Sequence, residues 1–228
     1  MARPLTPPAA ALLRLFSAAF LAVLVSSSRP DALENSSRYV LLYNYEGNPL
    51  IIRNRRPVPP AIDLVLQKKD VIQADKETMV ELTLFDFAGV RFFPDSEVEI
   101  VSLFPSAVHV KLNKGGFLAN VKSLAPDATF TIETPLVTVS PRPPFAQYCG
   151  VVLPGGGMSF ASKKGNADIL VKLSSSSIIV LEGLAVDVMP ETFAPTVRNS
   201  TEEEQALLRK VNTVPVNQVI EEKEENAF

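Results

Sequence analysis

The chain has 228 residues, 46% of them apolar, a formal net charge of −3 at pH 7, one histidine and one cysteine. That length and apolar content suit one ordinary domain with tails and a core of its own. The charge offers nucleic acid no global basic field, one cysteine excludes an internal disulfide framework, and His109 with Cys149 alone is too few ligands for a transition-metal site or a histidine triad.

The chain opens on an address. Arg3 and Arg14 form a basic flank, residues 15–25 are an uncharged apolar run, and Ser26, Ser27 and Ser28 follow. That order is the order of a secretory signal, and the run falls short of the roughly 20 residues a spanning helix needs. Residues 1–28 are therefore expected to direct export, with a retained N-terminal anchor as the rival reading. No later stretch is long and apolar enough to cross a membrane, so the remainder is expected to be soluble after export.

From residue 38 onward, short apolar runs of period two are separated by turn residues. Residues 39–45 end at the turn 46–49, and residues 50–52 suggest a hairpin. Residues 53–60, with Pro57, Pro59 and Pro60, read as an extended polar loop. Residues 79–87 put Val80, Leu82 and Leu84 on one face and Glu81, Thr83 and Phe85 on the other. Alternation continues through residues 98–102, 108–113 and 129–139, the last bent at Pro135. Residues 140–144 break the pattern, and short strands then run on, past Gly155, Gly156 and Gly157, to Met189. Many short strands with no helices between them predict an all-β class, an antiparallel-rich β-roll or sandwich. One short C-terminal helix is visible. Asn199 or Ser200 can cap it, Glu202, Glu203 and Glu204 fill its first turn, Leu207, Leu208 and Val211 form a narrow apolar stripe, and Pro215 stops it. The tail after it, with Glu221, Glu222, Glu224 and Glu225, reads as mobile.

The order of these elements resembles the periplasmic FecR-type domain, found in iron-citrate signalling regulators and in stand-alone exported bacterial proteins. The family has a leucine, two variable residues, glycine-aspartate, a variable residue and isoleucine; Leu66, Asp70 and Ile72 keep that spacing, with Lys69 for the glycine. Its proline-asparagine-serine turn is matched by Pro94-Asp95-Ser96, the glycine after the following strand by Gly116, its threonine-proline element by Thr134-Pro135, and its closing strand by Val180, Glu182, Gly183, Leu184, Val186 and Val188. The family's glycine-threonine pair after the threonine-proline strand is replaced here by Pro141, Arg142, Pro143 and Pro144.

The resemblance implies a FecR-like β domain over residues 38–190, followed by a helix and acidic tail over 191–228. Membrane-bound members carry a sigma-factor-gripping segment before a transmembrane helix; the few residues ahead of the apolar run here imply the stand-alone form, exported to the periplasm or cell envelope. The implied function is non-catalytic recognition of another envelope protein, or signal sensing. A structural subunit of a larger envelope assembly, or a module binding carbohydrate or another anionic ligand, is the alternative. No cofactor, metal or nucleic-acid partner is expected, membrane contact runs only through an uncleaved N-terminal segment, and oligomerisation stays open.

Partner contact is expected at Arg53, Arg55 and Arg56 in the proline-rich loop, at Arg142 and Phe145 around the second proline cluster, and at the loop 155–157. Pre-ordered loops lose little entropy on binding. Ser159 and Ser162 lack the spacing to Lys163 and Lys164 of a serine–lysine dyad, and Asp86, Asp95, Glu97 and Glu99 read as a solvated strand face.

Overall fold

The computed structural model describes residues 39–216. The expected export segment and the acidic tail from residue 217 lie outside the described residues.

Two nine-stranded sheets face each other. The first holds, from edge to edge, β18 (Pro195–Asn199), β17 (Leu184–Val188), β14 (Met158–Lys164), β13 (Ala146–Val152), β10 (Gly116–Val121), β7 (Ala88–Phe92), β6 (Met79–Leu84), β1 (Val40–Glu46) and β4 (Leu64–Val65). The second holds β16 (Ser176–Val180), β15 (Ala167–Val171), β12 (Val137–Pro141), β11 (Thr129–Glu133), β9 (Ala107–Lys114), β8 (Glu97–Phe104), β5 (Val71–Gln73), β2 (Leu50–Arg53) and β3 (Arg56–Val58). The chain lays one or two strands in one sheet, crosses to the other, and so winds from one end of the roll to the other. Neighbours are antiparallel except β9 and β11, which run parallel.

The period-two pattern places the core. Val80, Leu82 and Leu84 of β6 point inward with Val90 and Phe92 of β7 and Phe117 of β10; they meet Val98 and Ile100 of β8, Val110 and Leu112 of β9, and Ile132 and Val139 from the second sheet. All are essentially inaccessible to water, and at about 1.5–3 kcal/mol per large apolar side chain this burial is the main driving force.

The crossings between sheets are locked by buried polar groups. Asp70, between β4 and β5, accepts from the Gln67 amide at 2.8 Å and from both arms of Arg53 at 2.9 and 2.7 Å. Ser96, between β7 and β8, bonds the Gly116 amide and carbonyl at 3.3 and 3.4 Å, and Thr78 accepts from the Asn48 amide at 3.0 Å. Gly115 stands at φ +93° with Ser96 against it; a Cβ there would lie 2.1 Å from the Ser96 hydroxyl, so only glycine fits.

Several local expectations change. Most of the expected loop 53–60 is a hairpin, with only Pro59 and Pro60 outside it: Arg53 and Arg56 pair across a two-residue turn in which Asn54 and Arg55 have φ of 52° and 64°, the hand that suits a tight hairpin. The bend at Pro135 is a full reversal, closed by Thr134, whose hydroxyl bonds the Val137 amide and carbonyl. The alternating run 79–87 stops at Leu84, where Phe85 takes φ 52°. The sheet runs past residue 190 to β18. Helix α1 (Glu202–Arg209) is capped by Thr201, not Asn199 or Ser200: Thr201 accepts from the Glu204 amide while Glu204 accepts from the Thr201 amide. It gives way to a tight turn at Lys210–Thr213 before Pro215 is reached.

Among the described residues the hydroxyls of Thr83 and Tyr148 are buried without a hydrogen-bond partner. The Tyr148 hydroxyl lies in the core between Phe117 and Phe160 without a hydrogen-bond partner, and burial drives its pKa well above the ordinary phenol value. Tyr148→Phe keeps the ring and removes the desolvated hydroxyl. It is expected to leave stability unchanged or raise it by about 1 kcal/mol, read from urea unfolding midpoints.

Candidate functional site

The arginines and the phenylalanine singled out by sequence do not form one site. Arg53 is turned inward onto Asp70, which is fully buried, and onto the Val65 carbonyl at 2.9 Å. Arg55 and Arg56 sit exposed at the tip of the β2–β3 hairpin in the second sheet. Arg142 forms a two-armed ion pair with Asp168 at 2.8 and 2.9 Å on the surface. Phe145, just past the proline cluster, borders a recess on the first sheet.

That recess, of about 410 Å³, is lined by Asn120, Val121, Lys122, Phe145, Gln147, Lys164 and Asn212. Strand register builds it: Asn120 of β10 faces Gln147 of β13, which faces Lys164 of β14. Gln147 donates to the side-chain oxygens of Asn120 at 3.2 Å and Asn212 at 2.8 Å, and Asn120 donates to the Val214 carbonyl at 3.3 Å. The Lys164 ammonium stands 4.8 Å from the centre of the Phe145 ring. Lys122 and Lys164 have no carboxylate partner among the described residues. The result is an aromatic edge, a fixed carboxamide floor and two ammonium groups: a surface suited to an anionic, hydrogen-bonding partner. Phe145 was legible in the sequence; Lys122, Gln147 and Asn212 were not, because only the sheet register and the returning C-terminal segment bring them together.

That segment rests on the outer face of the first sheet. Leu208, Val211 and Val214 pack on Leu118, Cys149, Ala161 and Ala185, and the small side chains of Cys149, Ala161 and Ala185 let α1 approach closely. Gly89 allows the same approach further on, for a Cβ there would lie 1.7 Å from the Pro215 carbonyl oxygen. A charged latch fixes the helix start. Arg198 of β18 reaches Asp187 of β17 at 2.6 and 2.8 Å and both oxygens of Glu204 of α1 at 2.7 Å, with Ser159 of β14 between them. Burial alone would raise Glu204, but Arg198, the Thr201 amide and Ser159 outweigh it and hold the carboxyl down at about 2.

The other reactive side chains are also engaged. Ser159 belongs to this latch and Ser162 donates to the Gly165 carbonyl at 2.8 Å, while Lys164 faces Phe145. His109 Nε2 lies 2.9 Å from Glu133, off the line of a good hydrogen bond, and Glu133 also holds Lys172 at 2.9 Å on the outer face of the second sheet. In the acidic group, Asp95 pairs with Lys114, and Glu97 accepts from Gln73 and Asn113. Burial, with Glu204 acting in the same direction, pushes the Cys149 thiol up to about 12. Among the described residues no cluster of three or more histidine, cysteine or acidic side chains is placed to hold a metal ion.

Neither a family model nor a curated protein matches the chain. In fold it is similar to two crystal structures of a candidate anti-sigma factor from Parabacteroides distasonis, each with a TM-score of 0.51, at 13% and 14% sequence identity. Each match covers 60% of this chain and 62% of the crystallised one, so it spans less than two thirds of that protein's length. Identity at this level carries the fold.

Two outcomes follow from the latch and the thiol. Because the folded Glu204 titrates near 2 against an ordinary 4.5, the latch contributes in full above about pH 4.5 and is lost as pH falls toward about 2. Urea midpoints of the wild-type chain are expected to drop through that window, and Glu204→Gln to flatten that part of the curve. Cys149 is expected to resist iodoacetamide in the native protein and to label fully once denatured.

Proposed function

We propose that residues 39–199 form a FecR-type domain that acts without catalysis, in an exported protein, by recognising another protein of the cell envelope in a signalling or regulatory role. The observation that carries this is where the residues of the resemblance fall. Lys69 stands where the family has glycine and adopts φ 73°, the left-handed conformation that glycine serves; Asp95 stands in the family's asparagine position at φ 64°, and Gly183 at φ 81°. Asp70, Ser96 and Thr134 are buried and bond the backbone at their turns. These residues shape turns, and the same turns in the same order imply the same roll. The fold likeness to a candidate anti-sigma factor supports a regulatory role from a second side.

The contact is assigned to the recess bordered by Phe145. Lys122 and Lys164 would meet acidic groups of the partner, Gln147 and Asn212 its backbone or amide groups, and Phe145 an apolar side chain. The exposed Arg55 and Arg56 tip lies on the other sheet and is assigned no part in this contact. A photo-crosslinking amino acid at position 145 tests the reading in the native host. The expected result is an adduct with one envelope protein, abolished by Lys122→Glu with Lys164→Glu while the thermal melt stays unchanged. Fractionation of the chain with the cytoplasm, or an adduct insensitive to both charge reversals, would overturn it.

A further inference from the structure

Strands β3, β4, β16 and β18 form the four sheet edges. A bare edge presents unpaired N–H and C=O groups to any passing strand, and proteins blunt it with short strands, proline, charge or a bulge. Three of these edges are blunted. β4 is two residues long, β3 carries Arg56 and Pro57, and β18 begins at Pro195 and carries Arg198. β16 has none of these devices: it reads Ser176-Ser177-Ile178-Ile179-Val180 and makes five successive pairs with β15 without a bulge. Among the described residues no other backbone group pairs with its outer side. Its exposed positions are Ser177 and Ile179, the latter 44% exposed, with Leu170 of β15 at 43% nearby and Leu181 just past the strand at 51%.

We propose that β16 pairs antiparallel with β16 of a second copy of this chain, joining the two copies of the second sheet across a two-fold axis at Ile178. A strand opposite itself is disfavoured when it carries charge, because like charges then meet. β3 fails on Arg56 and β18 is blunted by Pro195, whereas β16 carries no charge and no proline along its length. An axis at Ile178 sets Ser177 against the partner's Ile179 and keeps inward and outward faces in phase. A five-residue strand and a few half-exposed leucines and isoleucines amount to less than the roughly 1,600 Å² of a standard interface, so the dimer dissociates in the micromolar range. β16 and the Phe145 recess are on different sheets, so either assignment can fail without the other.

Sedimentation velocity on the full chain, from about 1 to about 200 µM, reads the equilibrium directly. A reversible monomer–dimer transition is expected. Ile179→Lys, which places a charge on the edge at an exposed position, is expected to weaken it at least about tenfold with an unchanged thermal melt. The double variant Ser177→Cys with Ile179→Cys is expected to form a covalent dimer under oxidised glutathione, since those positions oppose each other in the proposed register. A monomer at every concentration, or a dimer indifferent to Ile179→Lys, overturns the proposal. So does a monomer whose β16 amides gain protection from hydrogen exchange only when a peptide of alternating apolar residues is added, which would give the edge to a foreign strand.

Discussion

A chain that changes sheet every strand or two must turn repeatedly at the rim of its own core, where backbone groups leave one ladder before they join the next. Each such turn needs a polar partner held out of water, because an unpaired buried amide costs about 1–3 kcal/mol. Asp70, Thr78, Ser96 and Ser162 meet that need, each 3% exposed or less and each at a crossing between the sheets. The inward valines, leucines and phenylalanines supply the driving force, but they would serve many pairings of strands equally well. The crossings select one. Ser96 illustrates how: by bonding both backbone groups of Gly116 it ties the β7–β8 crossing to the β9–β10 crossing, so neither can slip alone.

The two outer faces then diverge in use. The first sheet sets Leu118, Cys149, Ala161 and Ala185 outward and covers them with α1 and the segment after it. The latch around Arg198 holds the start of that cover and the Asn120–Gln147–Asn212 amides hold its end. The recess at Phe145 lies at the margin of this cover, and its shape depends on the C-terminal segment staying down. The second sheet, away from its β16 edge, keeps a more polar outer face with paired charges such as Glu133 with Lys172 and Arg142 with Asp168.

Much of the roll was legible in the sequence because alternation of period two is a direct record of a sheet with one wet face. Turn positions were legible where glycine or proline marks them. They were lost where an ordinary residue takes the glycine's conformation, as Asn54 and Arg55 do in the hairpin read as a loop. The helix was visible and its cap misplaced by one or two residues, since Asn199, Ser200 and Thr201 can all cap and only the reciprocal bonds with Glu204 decide between them. β18 went unseen because its residues are exposed or only half-buried and show no alternation of apolar with polar side chains.

The site was less legible than the fold for a related reason. A sequence shows charges but not their partners. Arg53, Arg55 and Arg56 look like one basic patch, yet the first neutralises a buried aspartate and is half of a structural ion pair, whose loss would strand Asp70 without a counter-charge. Arg142 is likewise already matched by Asp168. The ammonium groups left unmatched beside an exposed aromatic ring are Lys122 and Lys164, far apart in sequence and separated in space only by β13 and its Gln147. Free charge is therefore a property of the register between strands.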